Sequence, residues 1–222
     1  MKSWLHARVH AKKYGGVPDD YVDIDDFIDS SKAAVADVRH RAILHSAFGC
    51  FIVERVFGRT RVNSDGKTYS PRDIAEDHCL QDLSIIPTVE NYLNNLSVDS
   101  IGTIVEISIL EHSKIDSELY GIPFEIFLPI HQFLESSYTV MPDKRHHVLL
   151  HNSFGISIAE KIFGVYIQHL DVIIPTKEVV TNHISREFLF IPTMEYYLQN
   201  MSLENWMSGS LKHNRKRIRL VD

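Results

Sequence analysis

At 222 residues, 44% of them apolar and 23% charged, the chain has the make-up of a soluble globular protein of one large or two small domains. A formal net charge of −6 gives no general attraction to nucleic acid or to an anionic membrane. No apolar run approaches the roughly 18 residues of a membrane span, and Met1–Val9, interrupted by Lys2, His6 and Arg8, does not read as a signal peptide, so a cytoplasmic location is expected.

Trp4–Tyr14 predicts a helix that stops at Gly15-Gly16, followed by a short helix or turn at Pro18–Tyr21 and a third helix over Ile24–Ser31. Asp37 is placed to cap a main helix running to Gly58. Gly49 falls inside it, at a cost of about 1 kcal/mol against alanine, which predicts a close backbone crossing there. Val62–Gly66 has turn chemistry between β-prone residues and predicts a hairpin, after which Pro71–Leu83 and Thr88–Leu96 read as helices, the latter capped by Thr88. The apolar connector at 100–111 then leads into a second round of the same pattern.

That second round is a repeat. DVRHRAILHSAFGCFIVERVFG (Asp37–Gly58) returns 106 positions later as DKRHHVLLHNSFGISIAEKIFG (Asp143–Gly164). Phe27–Ser31 matches Phe133–Ser137, and at an offset of 105 Ile86-Pro87-Thr88 matches Ile191-Pro192-Thr193. The expected fold is mainly α: two tandem copies of a small helical domain, each with a minor hairpin, packed with pseudo-twofold symmetry. The expected divisions are 1–100, 101–210 and a basic tail at 211–222, whose lysines and arginines read as a solvated terminus or a weak nucleic-acid contact. Cys50 and Cys79 face Ile156 and Ile184 across the repeat, so buried free thiols are expected.

Thirteen histidines are many for this length, and eight form matched pairs: His6 with His112, His40 with His146, His45 with His151, and His78 with His183. Asp82 matches Glu187, and each lies four residues after a histidine on a predicted helix, on the same face. A carboxylate there can fix the tautomer of its imidazole. Three readings are open: a divalent metal site (zinc, iron or manganese) built on His45 and His78, a polar pocket for a small anionic ligand, or histidines that only brace helix ends. His40, in the first turn of the main helix, suits a hydrogen-bonding role. There is no Gly-x-Ser-x-Gly, phosphate-binding glycine loop or paired Cys-x-x-Cys.

The segments Val38–Ala42, Val62–Lys67, Arg72–His78 and Asp82–Thr88 resemble an uncharacterised bacterial and phage domain family. Its pattern runs roughly RHRALRHH…NSDG…GEQH…EDLG-x-IPT, in single copies of about half this length. Ile130-His131 and Trp206-Met207 in copy two resemble the family's IH-x-W and terminal Trp-Met. The second histidine of its His-His is Ser46 and Asn152 here, and Glu76 is matched by Thr181. The resemblance implies a tandem of two such domains and supplies no activity. Our reading is a binding protein with a His/carboxylate pocket for a metal ion or small anion, drawn from His6, His40, His45, Glu76, His78 and Asp82 and from His112, His146, His151, His183 and Glu187. The alternatives are a metal-dependent hydrolase of phosphoester-like substrates, with Glu76 or Asp82 as base, and an accessory protein that docks on another protein or on its own copy.

Overall fold

The computed structural model describes residues 2–209; the basic tail lies outside them. Contacts divide the chain into two compact units. One combines the residues up to Asn94 with those from Met201 onward, and the other is Asn95–Asn200. The end of the second sequence repeat therefore belongs to the first unit.

The first unit holds α1 (Ser3–Tyr14), α2 (Val22–Asp29), α3 (Arg41–Leu44), α4 (Ala47–Phe57), the hairpin β1 (Arg61–Val62) and β2 (Thr68–Tyr69), α5 (Pro71–Leu83) and α6 (Val89–Leu93). The second repeats the order with α7 (Ile109–Tyr120), α8 (Leu128–Glu135), α9 (His147–Leu150), α10 (Ser153–Phe163), β3 (Tyr166–His169), β4 (Val172–Pro175), α11 (Thr176–Phe188) and α12 (Met194–Leu198). The two hairpins are the strands of the described residues, and no described helix is long and apolar enough to cross a membrane. Cys50 and Cys79 are buried free thiols.

Local chemistry sets these boundaries. Ser70 caps α5 ahead of Pro71, and Thr88 and Asn91 form a reciprocal capping box on α6. In the turn between β1 and β2, Asn63 accepts from the Asp65 and Lys67 amides and donates to Tyr14 O and the Tyr21 hydroxyl. Asp65 accepts from the Gly16 amide. The Asn-Ser-Asp-Gly stretch is thus a latch on the end of α1, where the positive φ of Gly15 and Gly16 turns the chain.

The stretch expected as one long helix is broken. A 3-10 turn over Val38–His40 enters α3, and the chain leaves helical geometry at His45 (φ −96°, ψ 47°) and Ser46 (φ −138°, ψ 168°) before α4 begins. The Ser46 hydroxyl accepts from the Gly49 amide at 3.1 Å, and Asn152 does the same for α10 at its Gly155 amide. Pro87 O accepts the Ala47 amide at 2.8 Å, as Pro192 O accepts that of Ser153 at 2.9 Å. A short polar residue that caps a new helix, and a carbonyl that takes the freed amide, make the break stable. A Cβ at Gly49 would strike the Leu44 carbonyl, and one at Gly155 that of Leu150. The close backbone predicted from these glycines is therefore the end of the preceding short helix, folded back on its own chain.

Apolar residues of the short helices are buried in both units: Ala42, Ile43 and Leu44 in α3, and Val148, Leu149 and Leu150 in α9. Phe27 packs edge-on to Phe57 and Phe133 to Phe163. The exchanged terminal segment closes the first unit: Trp206 lies over Tyr92 with ring centroids 4.8 Å apart, and the Arg41 guanidinium donates to Met207 O.

Candidate metal centre

The break between α3 and α4 leaves His45 outside either helix, facing inward. Its carbonyl accepts from the Tyr92 hydroxyl at 3.1 Å, and that of His151 from Tyr197 at 3.2 Å. α2 ends on Asp29, and α5 carries His78 and Asp82 one turn apart. Asp29, His45, His78 and Asp82 each offer a ligand atom within 4.8 Å of the others. In the second unit Glu135, His151, His183 and Glu187 do the same. The two quartets match residue for residue under the repeat.

In the first quartet His45 Nε2 lies 3.4 Å from Asp29 Oδ1 and 3.8 Å from Asp82 Oδ2, with His78 Nε2 3.7 Å from Asp29 Oδ1. In the second, His151 Nε2 lies 3.0 Å from His183 Nε2, 3.0 Å from Glu135 Oε1 and 3.4 Å from Glu187 Oε2. His183 Nε2 is 3.3 Å from Glu135 Oε1 and 3.9 Å from Glu187 Oε1. Ligands about 2.0–2.1 Å from a tetrahedral ion stand about 3.3 Å from one another, so these spacings fit a shared divalent cation. His6 and His112 flank the quartets, each with Nε2 3.3 Å from one oxygen of Asp82 or Glu187.

The imidazoles are wholly buried. His6 Nε2, His45 Nε2 and His78 Nε2 have no hydrogen-bond partner among the described residues. Each such atom costs about 1–3 kcal/mol when left unmet, and these three belong to clusters that could hold a metal ion.

The outer nitrogens explain why Nε2 of His78 and of His183 faces the quartet. A carboxylate only accepts, so His78 Nδ1, 2.8 Å from Asp25 Oδ1, carries the proton and turns the Nε2 lone pair inward. Asp25 also accepts from His10 Nε2 at 3.2 Å. In the second unit the same two positions are exchanged in kind. Asp116 stands where His10 is and His131 where Asp25 is, with His131 Nε2 donating to Asp116 Oδ2 at 2.9 Å. The remaining nitrogen of His131 then accepts from His183 Nδ1 at 3.0 Å. Both arrangements leave the same nitrogen of His78 and His183 facing the quartet.

Burial pushes the pKa of His45 down to about 3 and that of His183 to about 3, and lowers His151 as well. Burial acts the same way on His78, but Asp25 and Asp29 outweigh it and raise that histidine. His183 lacks that effect because its outer partner is an imidazole. Burial disfavours the charged forms of Asp29 and Glu135, yet the adjoining His45, His78 and Lys32, and His151 and His183, hold both carboxyls well below the usual range. Asp82 and Glu187 are held low in the same way, against burial, by His6 and Arg41 and by His112 and His147 respectively. At His45, His151 and His183 this favours neutral imidazoles beside ionised carboxylates, the form in which these groups ligate metal.

Of the residues expected from sequence, the structure gathers His45, His78 and Asp82, and His151, His183 and Glu187, with His6 and His112 alongside. His40 and His146 turn Nδ1 to the Ser31 and Ser137 hydroxyls at 3.1 and 3.2 Å. Glu76 takes no part: it receives Arg72 Nε at 3.0 Å on the outer side of α5. The carboxylates one turn after His78 and His183 do not fix those tautomers, which fall to Asp25 and His131. Sequence reasoning passed over Asp29, Glu135, Asp25, His10, Asp116 and His147. The signal for the first two was present, since Asp29 and Glu135 are acids at one matched position within Phe27–Ser31 and Phe133–Ser137.

Fold and site together define a tandem-repeat helical protein with a buried imidazole–carboxylate group in each unit. The chain belongs to the family described as domain of unknown function DUF6915, whose model matches it twice, over residues 1–101 and 107–207. No curated protein and no solved structure matches it.

Proposed function

We propose that the protein binds divalent metal, one ion in each unit, through Asp29, His45, His78 and Asp82 and through Glu135, His151, His183 and Glu187. The observation that carries this reading is the recurrence of the same buried quartet in both units, with Nε2 of the two histidines turned into it each time and the outer nitrogens of His78 and His183 held by different residues. Bracing histidines would keep their local hydrogen bonds; these keep their convergence while the bracing partners change. Two carboxylates in each group favour a cation over the anionic ligand. The mixed imidazole and carboxylate set suits zinc, iron or manganese. Full burial favours an ion that is held over one that meets a substrate, because catalytic ions keep an open position.

Elemental analysis of the purified chain, followed by calorimetric titration of the stripped protein with zinc, tests this. Two equivalents are expected in the wild type, one in His45→Ala and one in His151→Ala, with circular dichroism confirming that the variants fold. Undiminished binding by the folded double variant, or no binding by the wild type, would sink the proposal.

A further inference from the structure

The two quartets match, but their surroundings do not. In the first unit each carboxylate already carries a cation. Lys32 Nζ lies 2.6 Å from Asp29 Oδ1, and Arg41 Nη2 lies 2.7 Å from Asp82 Oδ2. The matched residues in the second unit are Tyr138 and His147. Among the described residues, Glu135 and Glu187 meet only imidazoles there. His147 Nδ1 lies 2.9 Å from Lys144 O, which can only accept, so Nδ1 carries a proton and Nε2 is the nitrogen turned to the quartet. That Nε2 stands 3.5 Å from Glu187 Oε2, the oxygen that also faces His151. One helix start, the first residue of α3 or α9, thus presents a permanent guanidinium in one unit and an imidazole nitrogen able to ligate metal in the other.

We propose that the two centres are unequal, on the reading that each unit binds a divalent ion. The second unit adds His147 to its donors and retains its ion, whereas Lys32 and Arg41 compete for the carboxylates of the first and make its ion exchangeable. A metal entering the first centre must displace or share oxygens with two fixed positive charges, and it gains no extra nitrogen. In the second it meets two uncompensated carboxylates and one more imidazole, a donor that raises affinity for zinc over manganese. The protein then combines a structural ion in one unit with a responsive one in the other.

The test uses the full chain and zinc alone. The stripped protein is titrated in competition with a chelator, and a loaded sample is passed through the same chelator before elemental analysis. We expect two steps at least tenfold apart in affinity and one equivalent retained. His183→Ala should abolish the retained ion, and His78→Ala the released one. His147→Arg should leave no ion retained, while Lys32→Tyr with Arg41→His should leave two. His147→Gln removes the donor without adding charge and guards against misfolding of the arginine variant; it should narrow the gap between the steps. Two ions of equal affinity, or loss of the retained ion in His78→Ala, would overturn the inequality and leave metal binding standing. A chain that takes up no zinc would overturn both.

Discussion

The exchange of Asp25/His10 for His131/Asp116 supplies a coupling experiment. Asp25→His alone removes the acceptor for His78 Nδ1 at 2.8 Å and for His10 Nε2 at 3.2 Å, both in a region with no solvent access. Hydrogen bonds to a charged group contribute about 1.5–3 kcal/mol each, and stripping one partner from a buried pair costs about 3–5 kcal/mol. The single variant should therefore lose about 3–5 kcal/mol. His10→Asp alone sets a second buried carboxylate against Asp25 and should also destabilise. Together the two substitutions rebuild the Asp116–His131–His183 chain in the first unit, and the double variant should fall short of wild type by no more than ~1.5 kcal/mol, a coupling of at least ~2 kcal/mol between the sites. Urea unfolding of all four proteins, followed by far-ultraviolet circular dichroism, measures it. Zinc affinity should return with the second substitution, because only then is the His78 lone pair again fixed inward. Losses that add within about 0.5 kcal/mol would refute the argument that these residues act as one unit.

Acid should destabilise the metal-free protein well above the carboxylate range. Burial lowers His40 to about 4 and His146 to about 3, and His45 and His183 fall to about 3. Against an unfolded value of about 6.5, the unfolded chain takes up these protons first. Stability then drops from pH 6.5 towards 4 by about 1.4 kcal/mol per unit for each such histidine. His78, raised instead, changes stability only above the unfolded value of about 6.5 and does not offset this fall, so a urea midpoint flat over that range would contradict the burial argument. Truncation after Asn200 takes Met207 O from Arg41 and Trp206 from Tyr92, and should speed amide hydrogen exchange in α3 and α5 while sparing α9 and α11. Ser46→Ala and Asn152→Ala should each cost about 1 kcal/mol as lost helix caps, and should weaken zinc binding further, since the same cap holds the break that presents His45 or His151.

Much of the fold was legible in the sequence because it is written in short-range chemistry. Gly15-Gly16, the Asn63–Gly66 turn, Ser70-Pro71 and Thr88 with Asn91 each end or start an element by satisfying backbone groups within a few residues, and the structure places α1, the first hairpin, α5 and α6 accordingly. The break at His45 was not legible. Ser46 and Asn152 can cap a helix or sit within one, and only the carbonyl of Pro87 or Pro192, some 40 residues away in sequence, decides between them. The same holds for the exchanged end of the chain. Trp206-Met207 is visible as a motif, but nothing local says that it closes the unit containing Tyr92 and Arg41.

The site divides along the same line. Matched histidines stood out because a repeat carries its own alignment, and the segments that resemble the family pattern combine the donors His78 and Asp82 with scaffold: the Asn63–Gly66 turn latches α1, Pro87 accepts the Ala47 amide, and Arg72 holds Glu76. The donors least visible in that pattern, Asp29 and Glu135, differ by a methylene and hide within a conserved-looking run of apolar and serine residues. His10/Asp25 and Asp116/His131 are harder still, because each position taken alone looks like a failed match. Only their joint reversal makes sense, and it does so for a physical reason. His78 and His183 need a partner that accepts a proton on the outer nitrogen, and an aspartate meets that need as directly as an imidazole tied to one. Selection on where a lone pair points leaves the identity of each supporting residue free, provided the chain of donors and acceptors closes.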